Sequence, residues 1–192
     1  MTDVTIFGDG NMGKAIDSVL SGGGASVNHI TTSNFGDPIT GDLVILAVYF
    51  PVLDKIVSEY GDQLAGKIVV DISNPVNSET FDGLVVPEDS SAAAQLAEKL
   101  PQSKVLKAFN TNFAATLANN AVGTDAKPTV LVAGDDESAK ATLIEAVTAG
   151  GLSAVDAGSL RRAHELEAFG FLQITLAAGG TTGWDKGFAL VK

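Results

Sequence analysis

Val4-Thr5-Ile6-Phe7 runs straight into Gly8-Asp9-Gly10-Asn11-Met12-Gly13, and Lys14-Ala15-Ile16-Asp17-Ser18-Val19-Leu20 follows at once. The first four residues read as a strand and the last seven as the start of a helix, with a G-x-G-x-x-G turn between them. In that setting each glycine has a mechanical task. Gly8 relaxes the tight turn, Gly10 lets backbone approach a pyrophosphate, and Gly13 lets the helix lie close against the strand. Unpaired N–H groups and the dipole at the helix start, where Asn11 and Met12 stand, favour phosphate charge. The stretch predicts a bound dinucleotide.

Outward from this turn, short β-branched runs alternate with Ala/Leu-rich runs of helical period, the rhythm of a parallel sheet with helices on both faces. Strands are expected at 4–7, 26–31, 43–48, 68–72, 105–108, 129–133 and 154–156, and helices at 12–21, 52–60, 90–100, 113–119, 137–149 and 160–178. Gly22, Gly61, Gly150 and Gly179 stand where left-handed helix caps belong. The fold class is therefore α/β, a doubly wound parallel sheet of the Rossmann type, as a single domain over residues 1–192 with a long C-terminal helix. Two segments break the rhythm. Residues 32–42, with Gly36-Asp37-Pro38, are too short and too turn-rich for the usual crossover helix. Residues 73–89 are polar and form a long loop of the kind that carries function.

Composition narrows the function classes. The chain of 192 residues is 45% hydrophobic and has no cysteine, which excludes disulfides, thiolate metal sites and a cysteine nucleophile. Its net charge of −11 argues against nucleic acid, which needs a basic face. No apolar run is long enough to span a bilayer, and no secretory signal opens the sequence, so a cytoplasmic protein is expected. A dinucleotide is also an anion. Backbone donors and local cations must outweigh the global field, with Lys14, His29, Lys107, Arg161 and Arg162 as candidates.

Ligands of such sheets lie outside the carboxyl ends of the strands. After the second strand come Thr31, Thr32, Ser33 and Asn34, with no Asp or Glu where an NAD site holds the ribose 2′-hydroxyl. Thr32, Ser33 and Asn34 can donate to a 2′-phosphate, so NADP is favoured over NAD, although the customary arginine is missing. After the third strand, Val48, Tyr49, Phe50 and Pro51 cross the mouth. Their backbone would meet the nicotinamide ribose, or the two aromatic rings would simply cap the core. Asn74 and Asn110-Thr111-Asn112 follow the fourth and fifth strands and suit a carboxamide or hydroxyls. Asn112 or Thr111 could equally be a helix N-cap.

Acid–base candidates are few. His29 lies on a strand, and His164 beside Arg161 and Glu165 reads as a salt-bridged surface residue. No Ser-His-Asp set, metal-ligand pattern or catalytic lysine in the last helix stands out, so no catalytic side chain and no metal is assigned. Hydride transfer between two ring cofactors needs little beyond orientation.

Four stretches in order then resemble one family: residues 5–13, Asp71-Ile72-Ser73-Asn74-Pro75, Lys107-Ala108-Phe109-Asn110-Thr111, and Asp156-Ala157-Gly158-Ser159-Leu160-Arg161. Together they resemble the NADP oxidoreductases dependent on the deazaflavin coenzyme F420 and their bacterial dinucleotide-binding relatives. A more distant likeness is to the cytosolic reductase domain of the six-transmembrane ferric reductases. The resemblance implies NADPH binding and hydride exchange with a flavin or deazaflavin, a small-molecule acceptor. By position it implies Gly8, Asn11 and Met12 at the pyrophosphate; Thr32, Ser33 and Asn34 at the adenosine phosphate; and Val48, Pro51, Asn74 and Ala108 at the nicotinamide end. It also implies that Leu160 and the last helix close the pocket and help form a homodimer. The sequence departs from the family in placing Asn34 where the family has a cation, and in shortening the second crossover. Two other readings share the Rossmann half: a non-catalytic dinucleotide sensor or accessory protein, and a reductase of small imines or hydroxy acids. The apolar tail from Trp184 onward is expected to pack on the domain or on a second subunit.

Overall fold

Leu43-Val44-Ile45-Leu46 is apolar at every position because both faces of its strand are covered, and all four side chains are buried. The computed structural model describes residues 2–124 and 126–191; Met1, Asp125 and Lys192, which fall within the expected domain and tail, lie outside them. Its strands are β1 (Asp3–Phe7), β2 (Ser26–Ile30), β3 (Leu43–Leu46), β4 (Ile68–Asp71), β5 (Lys104–Lys107), β6 (Thr129–Gly134) and β7 (Ser153–Gly158). They form one sheet in the order β2-β1-β3-β4-β5-β6-β7.

Helices α1 (Asn11–Gly22), α4 (Ala114–Asn119) and α5 (Glu137–Ala149) cover one face. Helices α2 (Leu53–Leu64), α3 (Ala92–Lys99) and α6 (Ala163–Ala178) cover the other. Period-two alternation divides each strand between the two cores. Val4, Ile6, Leu43 and Ile45 pack with Ile16, Leu20 and Leu143, while Phe7, Val44 and Leu46 pack with Ile56, Tyr60 and Leu96.

The sheet departs from the expectation in one respect. β1 to β5 are parallel, but β6 pairs with β5 antiparallel, and β7 then runs parallel to β6. The connection from β5 leaves and returns at one rim, where Asn112 Nδ2 donates to the Thr129 carbonyl over 3.2 Å. At roughly 9 Å, α4 is too short to carry the chain back across a sheet whose four-residue strands span about 13 Å. The cap glycines are also corrected. Helix α2 runs through Gly61, because Tyr60 and Leu64 are both anchored in the core. Past α1, α5 and α6 the left-handed residue is Gly24, Gly151 or Gly180, and not the expected glycine.

No helix joins β2 to β3, as the short spacing predicts. The loop is held on α2 instead. The Gly36 N–H donates to the Tyr60 hydroxyl over 2.5 Å, the Ile39 N–H donates to Gln63 Oε1 over 2.9 Å, and the Phe35 ring meets Tyr60 edge-on. The tail packs on the domain, with Trp184 against Phe113 and Phe188 against Phe169 at ring separations of 4.9 and 4.8 Å. No described helix is long and apolar enough to cross a membrane.

Candidate functional site

β1 lies between β2 and β3, so the strand order reverses at its carboxyl end, and that end is the glycine turn. Gly8 has φ +101°, donates its N–H to the Ile30 carbonyl over 2.8 Å, and would place a Cβ 2.5 Å from the Ala47 oxygen. A Cβ on Gly13 would lie 2.5 Å from the Gly8 oxygen, so the turn and the helix touch backbone to backbone. Gly10 differs: a Cβ there meets nothing within 4 Å. Its neighbourhood is open, as a site for an approaching ligand requires.

Helix α1 starts with no side-chain cap and no acid in its first turn. The first-turn N–H groups of Asn11, Met12 and Gly13 have no intrahelical acceptor and are offered to whatever stands in front of them. Exposed Lys14 adds a cation to the same turn. Behind the turn, His29 on β2 places Nδ1 2.9 Å from the Gly8 oxygen and Nε2 2.9 Å from Asp17 Oδ2 on α1.

Thr32 and Ser33 are exposed on the loop after β2. Asn34 is not available to a ligand in the way its position suggests. Its Oδ1 accepts from the Thr31 N–H and hydroxyl at 2.7 and 3.0 Å, and its Nδ2 donates to the His29 carbonyl and to Asp37 Oδ2 at 3.1 and 3.3 Å. It organises the turn and brings the Asp37 carboxylate to it.

At the mouth beyond β3, Val48 is half-buried and Pro51 enters a 3-10 turn, Phe50–Val52, that leads into α2. Phe50 packs partly on the core, but Tyr49 is 86% exposed and caps nothing. Next along the rim, Asn74 and Asn110 bind each other. Asn110 Nδ2 donates to Asn74 Oδ1, and Asn74 Nδ2 donates to the Asn110 carbonyl, both at 2.9 Å. Gly170 of α6 lies over this pair; a Cβ on it would stand 2.5 Å from Asn74 Oδ1. Asn110 Oδ1 and Ser73 Oγ are buried without a hydrogen-bond partner among the described residues. Asn112 is a tie to β6, while the cap of α4 is Phe113 without a side-chain bond, so neither Thr111 nor Asn112 is the N-cap. Ala108, just past β5, is wholly buried in the core.

The sequence reading missed a charged network beneath these amides. Lys107 Nζ donates to Asp71 Oδ2, Glu167 Oε1 and the Ser73 carbonyl at 2.7, 2.7 and 2.6 Å, with all three charged side chains almost fully buried. Glu167 also accepts the N–H groups of Ala92 and Ala93 at the start of α3. Burial raises the Glu167 carboxyl above its ordinary range despite the nearby Lys107 charge. Lys107 therefore joins β4, β5, α3 and α6, and its three protons are already taken. Charged Asp71 and Lys107 at the ends of otherwise apolar strands were the available signal.

Other expected positions are displaced from the glycine turn. His164 is half-buried with Nδ1 3.0 Å from the Ser90 carbonyl, and the ion pair beside it joins Arg162 to Glu165. Arg161 and Arg162 belong to a 3-10 turn, Leu160–Arg162, packed on β6 and α3. Leu160 is buried in the core with Leu96 and Ala163.

Strand-end glycines, an uncapped helix start and an open approach at the switch point define a dinucleotide-binding α/β protein. The comparisons narrow the class. An F420-dependent NADP reductase of Methanocaldococcus jannaschii is 32% identical over 169 residues, covering 85% of this chain and 74% of that protein. Metalloreductase STEAP3 of Rattus norvegicus is 33% identical over 180 residues, covering 86% of this chain but only 36% of that protein, so the chain spans about a third of its length. A solved Arthrobacter protein provisionally assigned as an F420-dependent NADP reductase superposes with a TM-score of 0.83 over the whole of both chains, at 23% identity. No family model matches. The chain belongs to the F420-dependent NADP reductase family of oxidoreductases.

Proposed function

We propose that this protein binds NADP(H) across the β1–β3 crevice and exchanges hydride with a flavin- or deazaflavin-type ring as co-substrate. The observation that carries the reading is the glycine turn. Gly8 and Gly13 are closed against neighbouring backbone while Gly10 stands open before free helix N–H groups. That arrangement fits a diphosphate. Gly8, Gly10, Asn11, Met12 and Gly13 hold it, and exposed Thr32 and Ser33 face the adenosine end, with Asn34 acting through the turn it shapes.

A bound reduced nicotinamide supplies the hydride. The chain's part is orientation. Val48 and Pro51 form one wall, and the Asn74–Asn110 amide pair and the backbone at Ala108 lie at the other strand ends. The rim residues described there are neutral, and the ammonium of Lys107 is saturated by its own partners. A ring-to-ring hydride transfer needs no side-chain proton at that place. Exposed Tyr49 offers the acceptor ring a face to stack on. Cytoplasmic residence belongs to the same reading, as does a homodimer through α6 and the tail, where Leu172, Leu190 and Val191 stay exposed. The test is single-turnover oxidation of NADPH and NADH against flavins and a deazaflavin. Hydride transfer to at least one ring acceptor supports the proposal; saturable nucleotide binding with no transfer to any of them replaces it with the sensor.

A further inference from the structure

His29 faces two acceptors. Its Nδ1 is 2.9 Å from the Gly8 carbonyl oxygen and its Nε2 is 2.9 Å from Asp17 Oδ2. A neutral imidazole carries one N–H and can satisfy only one of them; the imidazolium carries two and satisfies both. The ring is mostly buried, with 22% of its side chain exposed, so water does not readily replace a missing bond. Its backbone is fixed as well, by β-sheet register opposite Ile6 and by Asn34 Nδ2 on its carbonyl.

We infer that His29 is a positioning residue for the nucleotide diphosphate: as the imidazolium it pins the Gly8 carbonyl to α1 and sets a positive charge directly behind the glycine turn. The inference rests on the dinucleotide reading above. The peptide unit whose oxygen His29 holds also carries the Asp9 N–H, so polarising it strengthens a donor at the mouth of the turn. A local cation there offsets the chain's net charge of −11.

The groups around the ring agree. From α1, Asp17 faces it, with Ser21 Oγ donating to the other carboxylate oxygen over 2.6 Å and Lys14 exposed three residues before. From β1 comes apolar Ile6, followed by the turn with exposed Asp9; from the loop after β2 come Asn34 and exposed Asp37. Partial burial opposes ionisation of Asp17, but the bonds from Ser21 and His29 and the His29 charge outweigh it and lower the carboxyl. Asp17 therefore stays an acceptor.

An anion that prefers the imidazolium form binds more weakly as that proton leaves. Kd for NADH, which has no 2′-phosphate to titrate, and for NADPH should be measured by fluorescence from about pH 5.5 to 8.5, the range in which histidine charge changes. The wild type should lose about tenfold in affinity across it. His29→Gln should bind NADH as weakly at acid pH as the wild type does at alkaline pH, without the slope. His164→Gln should keep the slope. Saturable binding with the same pH profile in the wild type and His29→Gln overturns the role of His29 alone. No binding at any pH overturns the dinucleotide reading and this inference with it. Should His29→Gln not fold, imidazole nitrogen NMR of the wild type, assigned with His164→Gln, decides. Addition of NADH at pH about 7.5 must increase doubly protonated His29; an unchanged fraction contradicts the inference.

Discussion

Gly13 packs on Gly8 with so little room that a Cβ on Gly13 would stand 2.5 Å from the Gly8 carbonyl oxygen. Strand and helix meet there without an intervening side chain. Gly13→Ala must push α1 off the turn. It should cost about 1–3 kcal/mol in urea unfolding, as overpacking typically does, and should abolish measurable NADPH binding.

Gly10→Ala separates ligand from fold. Gly10 has φ −67°, compatible with alanine, and a Cβ there meets nothing within 4 Å. Thermal stability should stay within about 0.5 kcal/mol of the wild type. NADPH affinity should nevertheless fall by tenfold or so, because the methyl occupies the space in which backbone meets the diphosphate. Unchanged affinity in this variant would count against the proposed seat of the nucleotide.

Much of this architecture was legible in advance. The β-branched runs from Val4 to Val155 mark all seven strands, and the Gly8–Gly13 turn marks the switch point. The direction of β6 was not legible, since Thr129-Val130-Leu131-Val132 reads the same whichever way the strand lies. Pairings across the chain were also hidden. Nothing in Asn74 points to Asn110. Lys107 looked like a cation for a ligand because Asp71 and Glu167, its buried partners, come from other elements.

Lys107→Met tests that network. It leaves two buried carboxylates without their cation, a change that typically costs about 3–5 kcal/mol. Urea unfolding should show the loss, and α3 should be released first, because Glu167 also holds the Ala92 and Ala93 N–H groups. Hydrogen exchange at α3 checks the order.

Asp37→Lys addresses cofactor choice. Asn34 holds the Asp37 carboxylate at the turn assigned to the adenosine end. Exchanging that negative charge for a positive one should strengthen NADPH binding about five- to tenfold and leave NADH nearly unchanged. Paired Kd measurements for the two nucleotides check it.

Asp136 supplies the pH dependence. It caps α5, and the Ser138 hydroxyl and the Ala139 N–H hold its carboxyl at about 2, below the ordinary 3.8. A carboxyl lowered by folding stabilises the native state above its unfolded value and loses that contribution as pH falls through the folded one. Asp136→Ala should thus be less stable than the wild type at neutral pH. The two should converge between pH 3.8 and about 2 in thermal melts.

The central claim is that the first-turn amides of α1 receive a diphosphate, and amide NMR during titration with NADP+ observes those amides themselves. Saturating shifts should concentrate at Gly8 to Lys14, with the Asn11, Met12 and Gly13 N–H signals moving downfield. A spectrum in which these signals stay fixed up to millimolar nucleotide would contradict the account.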